Sequence, residues 1–126
     1  MAETALIVGT GAGLSASLAR LFHKEGMRVA LAARRSEKLA ALCNETKARA
    51  YACDATKPAE VEKLFAAVVS DLATPDVVVY NPSARARGPL VELVAADVPR
   101  ALSVSAFGGF LVGQQAARRM VKKGKG

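Results

Sequence analysis

A glycine-rich turn is the first part of the sequence whose residues could hold a ligand. It contains Gly9, Gly11 and Gly13, follows the apolar residues 5–8, and leads into a helical pattern that begins at Leu14. Glycines in such a turn let the backbone approach a phosphate closely, and the start of the following helix offers free N–H groups to the anion. A merely tight turn is the alternative, but the position between a strand and a helix favours nucleotide binding. We therefore predict that these glycines and Leu14 bind a nucleotide.

The residues after the second apolar run indicate which nucleotide is bound. That run ends at Ala33 and is followed by Arg34 and Arg35. NAD-dependent enzymes and S-adenosylmethionine-dependent methyltransferases normally need a carboxylate here for the ribose hydroxyls, and this sequence has none. Two guanidinium groups suit the 2′-phosphate of NADP, although ordinary surface charge is the alternative interpretation. The sequence favours NADP over NAD, with Arg34 as the predicted phosphate ligand.

Polar residues also follow the third and fourth apolar runs. Asp54, with Ala55 beside it, could accept a hydrogen bond from the adenine amino group, or it could only cap the next segment. Asn81 could contact the cofactor ribose, or it could serve only as a turn residue. Because parallel strands of this kind bind ligands at their carboxyl ends, we expect Asp54, Ala55 and Asn81 to lie at one edge of the sheet.

These residues require a frame in which strands and helices alternate. Apolar runs predict strands over residues 5–8, 28–33, 48–53 and 77–80. Helical periodicity and punctuation predict helices over residues 14–25, 36–46, 58–72 and 96–120. Strands joined by right-handed crossover helices form a parallel sheet, here with the order 3-2-1-4. The sequence thus predicts an α/β, Rossmann-type fold with a single domain over residues 1–126.

Finer expectations concern the helices and the end of the chain. We expect Leu14, Leu18, Leu21 and Phe22 to form the buried face of the first helix. Ser36 is expected to cap the second helix. The turn-like residues 122–126 stand where a fifth strand should begin, and they leave the outer edge of the fourth strand unpaired. We therefore expect a chain that is cut short before strand five.

Composition argues against several other functions. With 52% hydrophobic and 23% charged residues, the sequence is typical of a soluble globular protein. Its apolar runs are too short to span a membrane, and Met1 leads almost directly into the first strand, so we expect a cytoplasmic protein. Cys43 and Cys53 lack metal-ligand spacing, so we expect no metal. The net charge of +7 could suit nucleic acid, but no aromatic residues interleave with the basic ones, and we expect no such partner.

The motifs together resemble the N-terminal half of the short-chain dehydrogenases/reductases, over essentially the whole chain. The Gly-x-x-x-Gly-x-Gly motif of that family falls on Gly9, Gly13 and Ser15, so the third glycine is replaced. The Asn-Asn-Ala-Gly segment of the family falls on residues 80–83 and keeps only Asn81. These departures are typical of a divergent member.

The resemblance also implies roles for single residues. The basic residue of NADP users falls on Arg34, the Asp-Val pair after strand three falls on Asp54 and Ala55, and the catalytic Asn of the long helix falls on Ser105. The family's catalytic Ser and Tyr-x-x-x-Lys have no counterpart in this sequence.

The resemblance therefore implies an NADP-dependent oxidoreductase that passes hydride between nicotinamide and an alcohol or carbonyl substrate. This chain would supply the cofactor-binding half and be inactive alone. Similar proteins pair through the long helix, so a homo-oligomer is expected at full length. A non-catalytic nucleotide-binding protein and a Rossmann methyltransferase stay open as alternatives.

Overall fold

The computed structural model describes residues 2–126, and it shows the predicted four-stranded parallel sheet. Strand β1 spans Thr4–Val8, β2 spans Arg28–Ala33, β3 spans Arg49–Ala52 and β4 spans Val77–Tyr80. Their order across the sheet is β3-β2-β1-β4, which confirms the order predicted from right-handed crossovers. Strand β1 pairs with β2 on one side and with β4 on the other, so all four carboxyl ends lie at the same edge.

Helices cover both faces of this sheet. They are α1 (Leu14–Lys24) and α2 (Ala40–Thr46) on one face and α3 (Pro58–Asp71) and α5 (Gly108–Lys123) on the other. Helix α4 (Asp97–Leu102) has no buried residue and contributes to neither core cluster. A π-helical turn, Ser103–Phe107, joins α4 to α5, so the predicted long helix is one helical stretch with an altered turn inside it. Among residues 2–126, no helix combines the length and the apolar character needed to cross a membrane.

The core is divided between the two faces of the sheet because neighbouring strand residues point to opposite sides. Leu6 and Val8 of β1 pack with the buried residues of α3 and α5, among which Phe65 is fully buried. Ile7 packs on the other side with Leu31 and with the apolar residues of α1 and α2. The central strand is thus covered on both faces, as parallel sheets generally are.

The buried face of α1 differs from the prediction. Leu14 is 62% exposed and Leu21 is 49% exposed, whereas Ser15, Ala16 and Ala19 are buried. The prediction was therefore wrong for Leu14 and Leu21, whereas Leu18 and Phe22 are partly buried and pack against the core as expected. Small side chains at Ser15, Ala16 and Ala19 allow the α1 backbone to lie close to the sheet.

The start of the second helix also differs. The chain first forms a 3-10 turn over Ser36–Leu39, whose cap residue is Arg35, and α2 begins only at Ala40. Within the described chain, neither this turn nor α2 has a side-chain hydrogen bond at its N-cap, so the prediction that Ser36 caps a helix was wrong.

Asp76 fixes the sheet at the edge opposite the carboxyl ends. Its Oδ2 accepts a hydrogen bond of 2.8 Å from the Thr4 N–H, and its own N–H donates to the Thr4 carbonyl at 2.8 Å. Its Oδ1 accepts from the ammonium group of Lys123 near the end of α5. The Lys123 ammonium first, and then the Thr4 N–H, hold the pKa of Asp76 below its usual value of 3.8.

This arrangement predicts how acid affects stability. A carboxyl group whose pKa is lowered by folding stabilises the fold above its unfolded pKa, and that contribution is lost as the pH falls through the folded pKa. We expect Asp76→Asn to lower the free energy of unfolding by about 1–2 kcal/mol at neutral pH. The variant should lose less stability than the wild type when the pH falls below about 4.

Urea unfolding at several pH values tests this expectation. Glu62→Gln, at an exposed position on α3, is the control that removes a carboxylate without this contact. Equal acid sensitivity of Asp76→Asn and the wild type would contradict the assignment.

Candidate cofactor-binding site

A cavity of about 1130 Å³ opens at the carboxyl edge of the sheet. Its lining includes residues that follow every strand: Gly9 and Gly11 after β1, Arg34 after β2, Asp54 after β3 and Pro82 after β4. Helix α4 adds a further wall through Arg100. Five separate segments of the described chain therefore meet at this cavity. The structure brings most of the predicted ligand residues together in one place.

The turn after β1 is held against both neighbouring strands. The N–H groups of Gly9 and Thr10 donate to the carbonyl of Ala32 in β2 at 3.0 Å and 3.1 Å. On the other side, a Cβ atom at Gly9 would lie only 2.5 Å from the backbone nitrogen of Pro82. Gly9 also has a φ of +85°, which side chains rarely tolerate. The fold itself therefore requires glycine at this position.

Gly11 and Gly13 have a different reason to lack side chains. A Cβ atom at either position would meet no protein atom within 4 Å. Helix α1 begins immediately after Gly13, which is its cap residue, and no side chain of the described residues caps it. The first N–H groups of α1 therefore have no side-chain partner, and Leu14 is exposed, although neither Gly13 nor Leu14 lines the cavity. This open cradle at a helix start fits a phosphate group.

Ser15 and Asn81 support the turn away from the cavity. The buried Ser15 hydroxyl donates to the Gly9 carbonyl at 2.9 Å and accepts from the Asn81 amide at 3.0 Å. The Asn81 N–H also donates to the carbonyl of Val8 at 2.9 Å. Asn81 does not line the cavity, and its side chain positions the glycine turn from behind.

Basic side chains dominate the charge of the cavity. Among the lining residues that the structure describes, the basic ones are Arg34, Arg35, Lys38 and Arg100, and the one carboxylate is that of Asp54. Lys38 and Arg100 were not predicted as site residues. Lys38 follows Arg35 by three residues in the 3-10 turn, where residues three apart share a face, so the pattern could have indicated it. Arg100 reaches the cavity from α4, and no local signal indicated that contact.

Asp54 behaves partly as the turn-capping alternative describes. Its Oδ1 accepts hydrogen bonds from the N–H and the hydroxyl of Thr56, at 3.0 Å and 2.7 Å. These two hydrogen bonds lower the pKa of Asp54, and the bond from the Thr56 hydroxyl has the larger effect. They use one carboxylate oxygen, so Oδ2 is the oxygen that could meet an adenine amino group. Ala55 lines the cavity beside it.

Cys53 lines the cavity, and Ser105 lies next to the lining residue Val104 without lining the cavity itself. Burial raises the pKa of the Cys53 thiol to about 11, so it stays uncharged at neutral pH. Ser105 lies outside the cavity lining, and its hydroxyl donates to the Ala84 carbonyl at 2.9 Å and accepts from the Ala84 N–H at 3.1 Å. Residues 2–126 contain no group of three or more potential metal ligands.

The two kinds of glycine give a direct test of the turn. We expect Gly9→Ala to lower the free energy of unfolding by about 1–3 kcal/mol, because it combines a positive φ with a close contact to Pro82. Gly13→Ala, the matched control, should change stability by less than about 1 kcal/mol. Urea unfolding of both variants is the measurement. Equal losses in the free energy of unfolding would contradict the special requirement for glycine at position 9.

Comparisons with known proteins agree with this geometry. The short chain dehydrogenase family profile matches residues 3–126. D-threitol dehydrogenase of Mycolicibacterium smegmatis is 30% identical, covering 98% of this chain and 50% of its own length. Gluconate 5-dehydrogenase of Gluconobacter oxydans is 29% identical, with 97% and 50% covered. The chain thus spans about half the length of these relatives.

Solved structures show the same relationship. A short-chain type dehydrogenase/reductase from Mycobacterium marinum has a TM-score of 0.93 at 29% identity, covering 98% of this chain and 52% of that one. A variant of actinorhodin polyketide ketoreductase, solved with NADPH, has a TM-score of 0.93 at 31% identity, with 99% and 51% covered. Sequence, fold and cavity lead to one conclusion: the chain belongs to the short-chain dehydrogenase family.

Proposed function

We propose that this chain is the NADP-binding half of an oxidoreductase that transfers hydride between nicotinamide and an alcohol or carbonyl carbon. The observation that carries the proposal is the basic wall after β2. Arg34, Arg35 and Lys38 line the cavity where a carboxylate would serve NAD, and the sequence has no acid at the end of β2. The NADPH-containing ketoreductase among the structural neighbours supports the same cofactor.

Each part of the cavity has a defined task in this proposal. The glycine turn and the start of α1 would hold the pyrophosphate, and Arg34 with its basic neighbours would bind the 2′-phosphate. Asp54 Oδ2 and Ala55 would border the adenine. The bound nicotinamide supplies the hydride chemistry, and the protein orients it. The uncharged Cys53 thiol adds no negative charge beside the phosphates.

The remaining chemistry is assigned to residues outside this chain. Neither tyrosine of the sequence has a lysine four positions later, since Ala55 follows Tyr51 and Ala84 follows Tyr80 at that spacing. Carbonyl reduction needs a positioned proton donor, which the family's Tyr-x-x-x-Lys provides. Reading the coding frame beyond residue 126 tests this half-chain role. A downstream Tyr-x-x-x-Lys supports it, and a frame that lacks one contradicts it.

Further parts of the proposal concern the whole protein. Its substrate is a small molecule, it acts in the cytoplasm as a homo-oligomer, and the isolated 126-residue chain has no reductase activity. The family match removes the methyltransferase alternative. A non-catalytic nucleotide-binding protein is the second candidate, because the sequence departs from the family's motifs at Ser15 and Ser105.

Arg34 should determine the preference between the two nicotinamide cofactors. Losing a charge-assisted contact to the 2′-phosphate costs about 1.5–3 kcal/mol, so Arg34→Ala should weaken NADPH binding about 10- to 100-fold. NADH binding should stay unchanged, since NADH has no 2′-phosphate. The measurement is a titration of both cofactors against the full-length protein. Arg118→Ala, at an exposed position on α5, is the control, and an equal loss for both cofactors would refute the role of Arg34.

Gly13 should be intolerant of bulk only when the cofactor binds. The protein leaves open space around this position, so Gly13→Val should fold with nearly unchanged stability. The added side chain would nevertheless occupy the place of the pyrophosphate, and we expect NADPH binding to be abolished. Unfolding and NADPH titration of the same sample separate the two effects. Normal NADPH binding by this variant would show that the phosphate lies elsewhere.

A further inference from the structure

The helical stretch beside the cavity contains a π-helical turn between α4 and α5. In the π-helical turn Ser103–Phe107, the Gly108 N–H donates to the Ser103 carbonyl rather than to that of Val104. Ser103 and Val104 both line the cavity. Such turns inside helices occur frequently at functional sites.

Tyr80 uses the carbonyl that this turn releases. Tyr80 ends β4, and its hydroxyl donates a hydrogen bond to the Val104 carbonyl. Glycine at position 108 makes room for it, because a Cβ atom there would collide with the hydroxyl and lie 3.1 Å from the Ala55 carbonyl. Burial, and then the nearby Asp54 and Cys53, raise the pKa of Tyr80, so the hydroxyl keeps its proton at neutral pH.

Ser105 makes the reverse connection from the same turn. Its hydroxyl lies between the carbonyl and the N–H of Ala84, donating to one at 2.9 Å and accepting from the other at 3.1 Å. Ala84 lines the cavity together with Pro82 and Ser83. The Tyr80 hydroxyl therefore links β4 to the π-helical turn, and the Ser105 hydroxyl links that turn to the loop after β4.

We propose that Tyr80 and Ser105 act together as a hydroxyl clamp that positions two walls of the cofactor cavity and thereby sets cofactor affinity. They are positioning residues, and the inference rests on the proposed binding of NADP. The related family has asparagine at both positions, so both amides have been replaced by hydroxyls in this chain. Both hydroxyls form hydrogen bonds with backbone groups where the π-helical turn meets β4 and the loop after it. We therefore infer that the two replacements work as one unit. Ser105 accordingly does not donate to the substrate.

The test compares NADPH affinity with folding stability in the full-length protein. Tyr80→Phe and Ser105→Ala each remove one hydroxyl, and each should weaken NADPH binding about 3- to 10-fold, the equivalent of one neutral hydrogen bond. Ser105→Thr keeps a hydroxyl at this position and should bind NADPH within about twofold of the wild type. Tyr51→Phe is the matched control. The Tyr51 hydroxyl donates a hydrogen bond of 2.9 Å to Asp71, and neither residue lines this cavity.

The double variant tests whether the two hydroxyls are coupled. If they hold one junction, Tyr80→Phe with Ser105→Ala should weaken binding by less than the product of the single effects. Urea unfolding of every variant identifies the conditions in which it is fully folded, and NADPH titrations are made there. If Tyr80→Phe does not fold, the Ser105→Ala and Ser105→Thr pair still decides the question.

The outcomes separate this inference from the proposed function. A wild type that does not bind NADPH refutes both. A wild type that binds NADPH while folded Tyr80→Phe and Ser105→Ala bind equally well refutes the clamp and leaves the proposed function intact. The clamp is also refuted if Tyr51→Phe loses as much NADPH affinity as the two test variants, or if Ser105→Thr loses as much as Ser105→Ala. In either case the affinity would not depend on the hydroxyls of Tyr80 and Ser105.

Discussion

The close approach of the Gly9 turn to Pro82 is the constraint on which the cavity depends. It places the end of β1 directly against the loop after β4, and only a residue without Cβ permits it. Hydrogen bonds from the same turn to Ala32 tie it to β2. Ser15 and Asn81 then hold the turn on the side away from the cavity, whereas Gly9, Thr10 and Gly11 line the cavity. The shape of this turn is thus a consequence of how three strands are joined.

The basic side chains of the cavity favour anions. Among the residues that the structure describes, four basic side chains line the cavity with one carboxylate. The N-terminal end of α1, which has no side-chain cap, carries the positive end of a helix dipole. The carboxylate of Asp54 is itself partly used by Thr56, which limits its effect on a ligand's phosphates. The overall charge of +7 therefore matters less than where the basic residues lie. Arg34, Arg35 and Lys38 lie where NADP carries its extra phosphate, under the proposed binding mode.

Sequence patterns predicted the frame well because the frame follows local rules. Apolar runs and glycine punctuation located β2 and β4 to the residue, and the handedness of crossovers determined the strand order. Packing between elements was harder to predict. Leu14 and Leu21 have the pattern of a buried face, yet α1 packs through smaller residues because these allow closer contact with the sheet.

The supporting contacts of the site were beyond sequence reasoning for a related reason. Asn81 meets Ser15 across 66 positions, and Ser105 meets Ala84 across 21, so neither pair leaves a periodic signal. The π-helical turn also has no signature in the apolar pattern, which predicted an ordinary helix there. These contacts join segments that only the folded sheet edge brings together.

A comparison of two cofactor fragments tests the central claim most directly. Adenosine 2′,5′-bisphosphate carries the 2′-phosphate of NADP, and 5′-AMP is the same fragment without it, so neither needs the nicotinamide or the residues beyond this chain. Isothermal titration of both against the full-length protein should show that the bisphosphate binds at least about 10-fold more tightly, as a charge-assisted phosphate contact requires. Equal affinity, or tighter binding of 5′-AMP, would contradict an NADP-binding cavity.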